Sequence, residues 1–165
     1  MQEFSRSLPM MLYRTLDAVM PRFRQIFSEF GLTEQQWRVL RVLWQYEQIA
    51  FRELADLTLI PPPSLVGVVD RLTKSGLARR RRSDTDRRNV FVQATSKGQA
   101  LESKVRPRVD EAYAELQSSV DAKTWNALIA GLEQISSIDG EAEGKSASQR
   151  AINEQAELTK RAGAV

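Results

Sequence analysis

The chain of 165 residues contains no cysteine and no histidine. Without cysteine there is no disulfide, no thiol redox sensor, no thiolate nucleophile and no cysteine-held zinc or iron–sulfur centre. Without histidine, the usual general base near neutral pH, the serine–histidine dyad and the commonest nitrogen ligand of transition metals are missing too. The carboxylates, lysines and tyrosines that remain form no cluster at helical or hairpin spacing. The sequence therefore argues against an enzyme and implies no catalytic residue, metal or cofactor. There is also no run of eighteen apolar residues, and Met1, Gln2, Glu3, Phe4, Ser5 and Arg6 do not read as a charged leader ahead of an apolar stretch and a cleavage site. A cytoplasmic protein with no membrane segment is expected.

What is present is positive charge, and it is concentrated. Residues 71–88 hold eight basic side chains (Arg71, Lys74, Arg79, Arg80, Arg81, Arg82, Arg87 and Arg88) against two acids (Asp84 and Asp86), a local +6 in a chain of net +3, which leaves about −3 for the remainder. A positive stripe on a mildly acidic body is what phosphate binding through counterion release requires.

Apolar periodicity sets the frame. Leu8, Met11, Leu12, Leu16, Val19, Met20, Phe23, Ile26, Phe27 and Phe30 recur at three- and four-residue steps, which predicts one long helix, bent or broken at Pro21. Gly31 ends it, and Thr33 with Gln36 forms a capping box for a second helix that buries Trp37, Leu40, Leu43 and Trp44. A short third helix spans about Phe51 to Leu57, and a fourth spans about Pro63 to Lys74, with Leu65, Val68, Val69 and Leu72 inward and Gly76 as its cap. Leu77 to Arg82 and Asn89 to Ala94 flank a polar turn and pair as a hairpin. Thr95 or Ser96 caps a fifth helix and Asp121 a sixth, whose face is Trp125, Leu128, Ile129, Leu132, Ile135 and Ile138. The first, fifth and sixth helices carry more apolar stripe than one small domain covers, so a symmetric dimer is expected. The fold class is mainly α: a winged helix-turn-helix with a two-stranded β-hairpin wing and long N- and C-terminal dimerisation helices. The expected divisions are a dimerisation helix at 1–32, a DNA-binding lobe at 33–95, dimerisation helices at 96–138, and a tail at 139–165 that is mobile or a short helix.

In such a lobe the second helix of the motif enters the major groove and the hairpin reaches an adjacent minor groove. On the fourth helix Pro62, Pro63, Ser64, Gly67, Arg71 and Lys74 point away from the core: a hydroxyl for a phosphate or base edge, a glycine for close approach, an arginine for guanine or phosphate, and proline rings for thymine methyls. On the hairpin Arg80, Arg82, Arg87 and Arg88 are the candidate phosphate and groove contacts, and Asp86 braces the tip. The partner expected is double-stranded DNA, because this face offers no aromatic platform for unpaired bases.

These residues carry a family resemblance. Leu54, Ala55 and Asp56, then the run Pro63, Ser64, Leu65, Val66, Gly67, Val68, Val69, Asp70, Arg71 and Leu72, then Ser75, Gly76 and Leu77, resemble the multiple-antibiotic-resistance regulator (MarR) family. Asp86 and Arg88 in the wing, with Thr95 and Gly98 after it, are similar to that family's wing signature; Ala94 stands where the family usually has leucine. The resemblance implies a homodimer with interleaved first, fifth and sixth helices on a pseudo-palindromic operator, acting in most cases as a repressor released by a small molecule. The segment from Leu32 to Arg38, with Phe23 and Arg24, is similar to the subgroup that represses homoprotocatechuate (hydroxyphenylacetate) degradation.

Arginines among aromatic side chains on the first two helices suit a ring that carries a carboxylate, through a bidentate guanidinium and a stacking indole. The effector candidates are Arg14, Phe23, Arg24, Trp37, Arg38 and Arg41, with Arg38 beside Trp37 foremost. The expected effector is a small aromatic carboxylate such as hydroxyphenylacetate or indole-acetate. The alternative is a constitutive or architectural DNA-binding protein in which these side chains only pack.

Overall fold

Three turns of one kind close three of the helices and set where the chain reverses. A computed structural model of the chain describes residues 4–82 and 90–137. After a 3-10 turn at Phe4–Arg6, α1 (Leu8–Glu29) runs through Pro21 without a break, which sets aside the two-piece alternative. It ends where Gly31 N–H donates to the Ser28 carbonyl (3.0 Å) and Leu32 N–H to the Phe27 carbonyl (2.9 Å), with Gly31 at φ +69°. That is the left-handed closure at which a residue without Cβ is unstrained. The capping box then starts α2 (Glu34–Leu43): Thr33 N–H donates to Gln36 Oε1 (2.9 Å) and Gln36 N–H to Thr33 Oγ1 (3.3 Å). It satisfies two amides that a helix start leaves unpaired.

α3 (Phe51–Thr58) and α4 (Pro62–Lys74) form the helix-turn-helix. α4 begins one residue earlier than the sequence suggests, because proline at the first helical position gives up an amide with no partner there. The hairpin is β2 (Ala78–Arg82) antiparallel to β3 (Val90–Ala94), with Arg80 opposite Val92. A strand that periodicity did not reveal, β1 (Ile49–Ala50), pairs with the other edge of β3, giving the order β1-β3-β2. Two residues are too few to show an alternation.

α5 (Ser96–Ser118) starts at Thr95, whose hydroxyl oxygen accepts from Gly98 N–H at 3.1 Å, and continues through Pro107. α6 (Ala122–Ser137) starts at Asp121, whose carboxylate accepts from the Thr124 hydroxyl (2.6 Å) and amide (2.9 Å). Those bonds, the hydroxyl's first, hold the Asp121 carboxyl below its usual range. A group whose folded pKa is depressed contributes above that pKa, so this cap loosens only as pH falls through the lowered value.

The core lies in the α2–α4 lobe and under the first half of α5. Val39, Leu40, Leu43, Leu54, Leu65, Val68, Val69, Leu72, Val92 and Val105 are all inaccessible to solvent. No described residue of α6 is buried, and Leu128, Ile129 and Ile135 are exposed, as are Leu8, Met11, Leu12 and Leu16 of α1. Faces like these need a second molecule to cover them. Among the described residues no helix is long and apolar enough to cross a membrane, and no group of side chains is arranged to hold a metal. Residues 83–89 and 138–165 lie outside the described residues, and with them the polar turn, Ile138 and the tail expected from the sequence.

Candidate nucleic-acid interface and effector site

α4 presents Pro62, Pro63, Ser64, Arg71 and Lys74 to solvent, with Gly67 half-buried between them. A Cβ placed on Gly67 would stand 3.4 Å from the Arg71 guanidinium, which lies back along the helix toward its start. The glycine therefore leaves room for the Arg71 arm, which carries its charge back toward the start of α4.

The β2 arginines divide between the two faces of the strand, as alternation requires. Arg79 takes Gln93, whose amide oxygen, turned toward it, accepts from Nε (2.8 Å) and Nη2 (2.6 Å). Arg80 faces the other way and is a brace. Its Nη1 pairs with Asp70 at 2.7 Å, its Nη2 donates to the Val66 carbonyl at 3.1 Å, and its guanidinium lies 5.8 Å from the Phe51 ring centre. The sequence makes Arg80 a candidate phosphate contact; in the fold its anion is Asp70, and the pair fixes the wing to α4. Arg82 is exposed and, with Arg52, Arg80 and the apolar Phe51, Val66 and Val90, lines an open groove of about 540 Å³ between wing and helix-turn-helix. Asp86, Arg87 and Arg88 lie outside the described residues.

The brace is separable from a phosphate contact. Arg80→Met is expected to cost about 1 kcal/mol of stability or less, since the pair is partly exposed. Its operator affinity should fall while the slope of log affinity against log salt keeps its parent value in an anisotropy titration. A slope shallower by about one unit would instead mark a lost phosphate contact and return Arg80 to the interface.

The aromatic side chains form a continuous file between α1, α2 and α5. Ring centres are 4.9 Å apart for Tyr113 and Phe23, 6.4 Å for Phe23 and Phe27, 4.8 Å and stacked for Phe27 and Trp37, and 5.4 Å and edge-on for Trp37 and Trp44. The Arg41 guanidinium sits 5.8 Å from the Trp37 ring centre, a cation over an indole face. Trp37 and Arg41 of α2 and Trp44 just after it close against Arg106, Val109 and Asp110 of α5 around a crevice of about 10 Å³, room for roughly one water. Trp44 Nε1–H donates to the Gly98 carbonyl at 2.9 Å and ties one rim to the start of α5.

Of the six effector candidates, the fold brings Phe23, Trp37 and Arg41 to this file and takes the others elsewhere. Glu34 already holds Arg24 Nε at 3.0 Å and lies 3.9 Å from Arg38 Nη2. Arg38 Nη1 donates to the Thr58 carbonyl at 3.1 Å, while its Nε is buried with no hydrogen-bond partner. Adjacent residues of a helix point apart, so Arg38 reaches the end of α3 while Trp37 faces α1; the expected pairing of Arg38 with the indole is not formed. Arg14 is exposed on α1, about 13 Å along the axis from Phe23. Sequence reasoning did not select Arg106, Val109 and Asp110, although Val105 and Val109 on the buried stripe of α5 could have pointed to them.

Comparison with known proteins supplies a family. Residues 30–89 match the sequence model of the MarR family. The homoprotocatechuate degradative operon repressor of Escherichia coli is 33% identical over 129 residues, which is 78% of this chain and 87% of that protein. The chain belongs to the MarR family. Among solved structures, the transcriptional regulator PA4135 superposes with a TM-score of 0.75 at 33% identity, over 80% of this chain and 97% of that one. NadR in complex with 4-hydroxyphenylacetate superposes with a TM-score of 0.71 at 31% identity, over 84% and 98%. This MarR-family chain is thus a DNA-binding transcriptional regulator, built as the winged helix-turn-helix with long flanking helices that its sequence implied.

Proposed function

We propose that this MarR-family protein represses an aromatic-catabolism operon in the cytoplasm, bound as a homodimer to a pseudo-palindromic operator and released by a small aromatic carboxylate. Hydroxyphenylacetate and indole-acetate are of the right chemistry. The observation that carries this reading is the seam between α2 and α5, where Arg41 lies over the Trp37 indole beside Trp44, facing Asp110 and an Arg106 that is paired with Glu102. A guanidinium beside an apolar aromatic wall takes a carboxylate through charge-assisted bonds and the ring by stacking. The E. coli relative's operon and the ligand in the NadR structure belong to the same chemical class and support the reading. The interface proposed for DNA comprises Pro62, Pro63, Ser64, Gly67, Arg71, Lys74 and Arg82, with Arg80 as the wing's brace; Asp86, Arg87 and Arg88 are proposed to join it on the sequence alone.

The size of the crevice suggests how release works. A space that holds about one water does not admit an aromatic ring, so an effector there parts α2 from α5. α2 packs on α3 and α4, and α5 follows the wing, so separation of the two displaces the reading helix relative to the flanking helices. The ligand shifts operator binding only by its differential affinity for the parted form, about 1.4 kcal/mol for each tenfold.

The test is operator binding by fluorescence anisotropy with increasing 4-hydroxyphenylacetate and, in parallel, indole-acetate. The parent should release DNA. Arg41→Gln should bind operator like the parent and need about ten- to a hundredfold more effector, the loss expected for one hydrogen bond to a charged group. If no aromatic carboxylate weakens the parent's binding, or if Arg41→Gln responds as the parent does, the reading is wrong.

A further inference from the structure

Leu59 stands where two other turns of the same protein use glycine. After α3, Leu59 N–H donates to the Asp56 carbonyl (3.4 Å) and Ile60 N–H to the Ala55 carbonyl (3.3 Å). The bond pattern repeats those of Gly31 and Leu32 after α1 and of Gly76 and Leu77 after α4. All three turns need a residue at positive φ: Gly31 at +69°, Gly76 at +73° and Leu59 at +52°. Among the described residues Leu59 is the one non-glycine in that region, which is unfavourable for a side chain with Cβ. It is also the most exposed large apolar side chain in the described residues, at 82%, while the next residue, Ile60, is 2% exposed and anchors the turn. The backbone explains the positive φ but not the leucine. Strain and exposure together place the reason for this side chain outside the chain itself.

The surroundings say what that outside group is. The turn runs directly into the start of α4, and residues 57–69 carry no charged and no amide side chain. Of the polar groups there, Thr58 is buried and its hydroxyl donates to the Leu54 carbonyl (2.6 Å), so Ser64 alone is exposed. Residues 57–69 therefore supply no side chain of their own for the bidentate donor and acceptor patterns of the major groove, which leaves those to Arg71 reaching back from the next turn. The apolar feature the groove offers is the thymine 5-methyl group. We propose that Leu59, with the rings of Pro62 and Pro63, reads thymine methyls in each half-site, so that specificity at this end of the interface is apolar. The inference rests on the DNA-binding reading and names the base it selects.

Bound duplexes are selected from a random-sequence pool with the full-length protein. The enriched duplex is then resynthesised with deoxyuridine for thymine, one position at a time, which removes the methyl and nothing else. The expected result is thymine at fixed half-site positions and a loss of about fourfold in affinity for at least one single replacement, the effect of one buried methyl. At one or more of the methyl-dependent positions Leu59→Gly should bind the thymine and uracil duplexes alike, the rest being left to Pro62 and Pro63, and its melting temperature should equal or exceed the parent's, because glycine is at ease at this φ. A packing role would instead lower the melting temperature. Enriched sites with no dependence on the methyl, or a uracil loss equal in Leu59→Gly and parent at every position, overturn the inference alone. Failure to enrich any sequence overturns the DNA-binding reading with it.

Discussion

Gly98→Ala is expected to destabilise the protein by about 3 kcal/mol or more, beyond the usual range for one added methyl because backbone blocks its place. A Cβ at position 98 would lie 2.1 Å from the Leu77 carbonyl oxygen and 3.1 Å from its carbon. Three hydrogen bonds draw these segments together: Thr95 N–H to the Leu77 carbonyl (3.0 Å), the Thr95 hydroxyl to the Gly76 carbonyl (2.6 Å) and Lys97 Nζ to the Ser75 carbonyl (2.8 Å), while Gly98 N–H caps onto Thr95 Oγ1 (3.1 Å) within the start of α5. The start of α5 is thereby stitched to the chain leaving α4, and the Gly98 carbonyl also holds Trp44. The substitution must break this seam or push α5 outward. Thermal unfolding should show a melting temperature roughly 10 °C lower. Gln99→Ala, the exposed neighbour on the same turn, should stay within about 0.5 kcal/mol of the parent. A Gly98→Ala protein as stable as that control would show that the close approach is not a constraint.

The double variant Leu12→Glu with Leu16→Arg should convert the protein to a folded monomer. Both side chains lie exposed on the part of α1 that contributes nothing to the core, so their apolar character serves a partner surface. Glutamate four residues before arginine is a favourable helical pair, so α1 itself is preserved. Sedimentation should report half the parent mass with unchanged circular dichroism. Operator affinity should drop by about 10²- to 10⁴-fold, because two half-sites are no longer bound as one unit. A variant that stays dimeric, or a monomer that holds the full operator as tightly as the parent, would contradict the proposed assembly.

Element boundaries were open to reading because local chemistry decides them. Thr33 and Gln36 cap one another across a single turn, and Gly31 and Gly76 sit where φ is positive, so neighbouring residues suffice to place α2 and the ends of α1 and α4. Side-chain partners were not open in that way. Arg80 is one of four consecutive arginines, and nothing in that run marks it as the one paired with Asp70. Trp37 and Arg38 are adjacent in the sequence, whereas Arg41, one turn on, is the arginine that lies over the indole. Helical spacing could have favoured Arg41 over Arg38; it could not have shown that Glu34 occupies Arg24 and Arg38.

By itself the sequence determined the class of chemistry and the order of elements. The absence of cysteine and histidine, the local charge of residues 71–88 and the capping residues are properties of composition and short segments. Tertiary structure decided the brace between wing and α4, the seam at Gly98, the pairing of β1 with β3 and the crevice between α2 and α5. Each joins groups from separate elements, and their meeting depends on how helices cross and how strands register. That geometry is fixed by burial of the whole core and written in no single stretch of the chain.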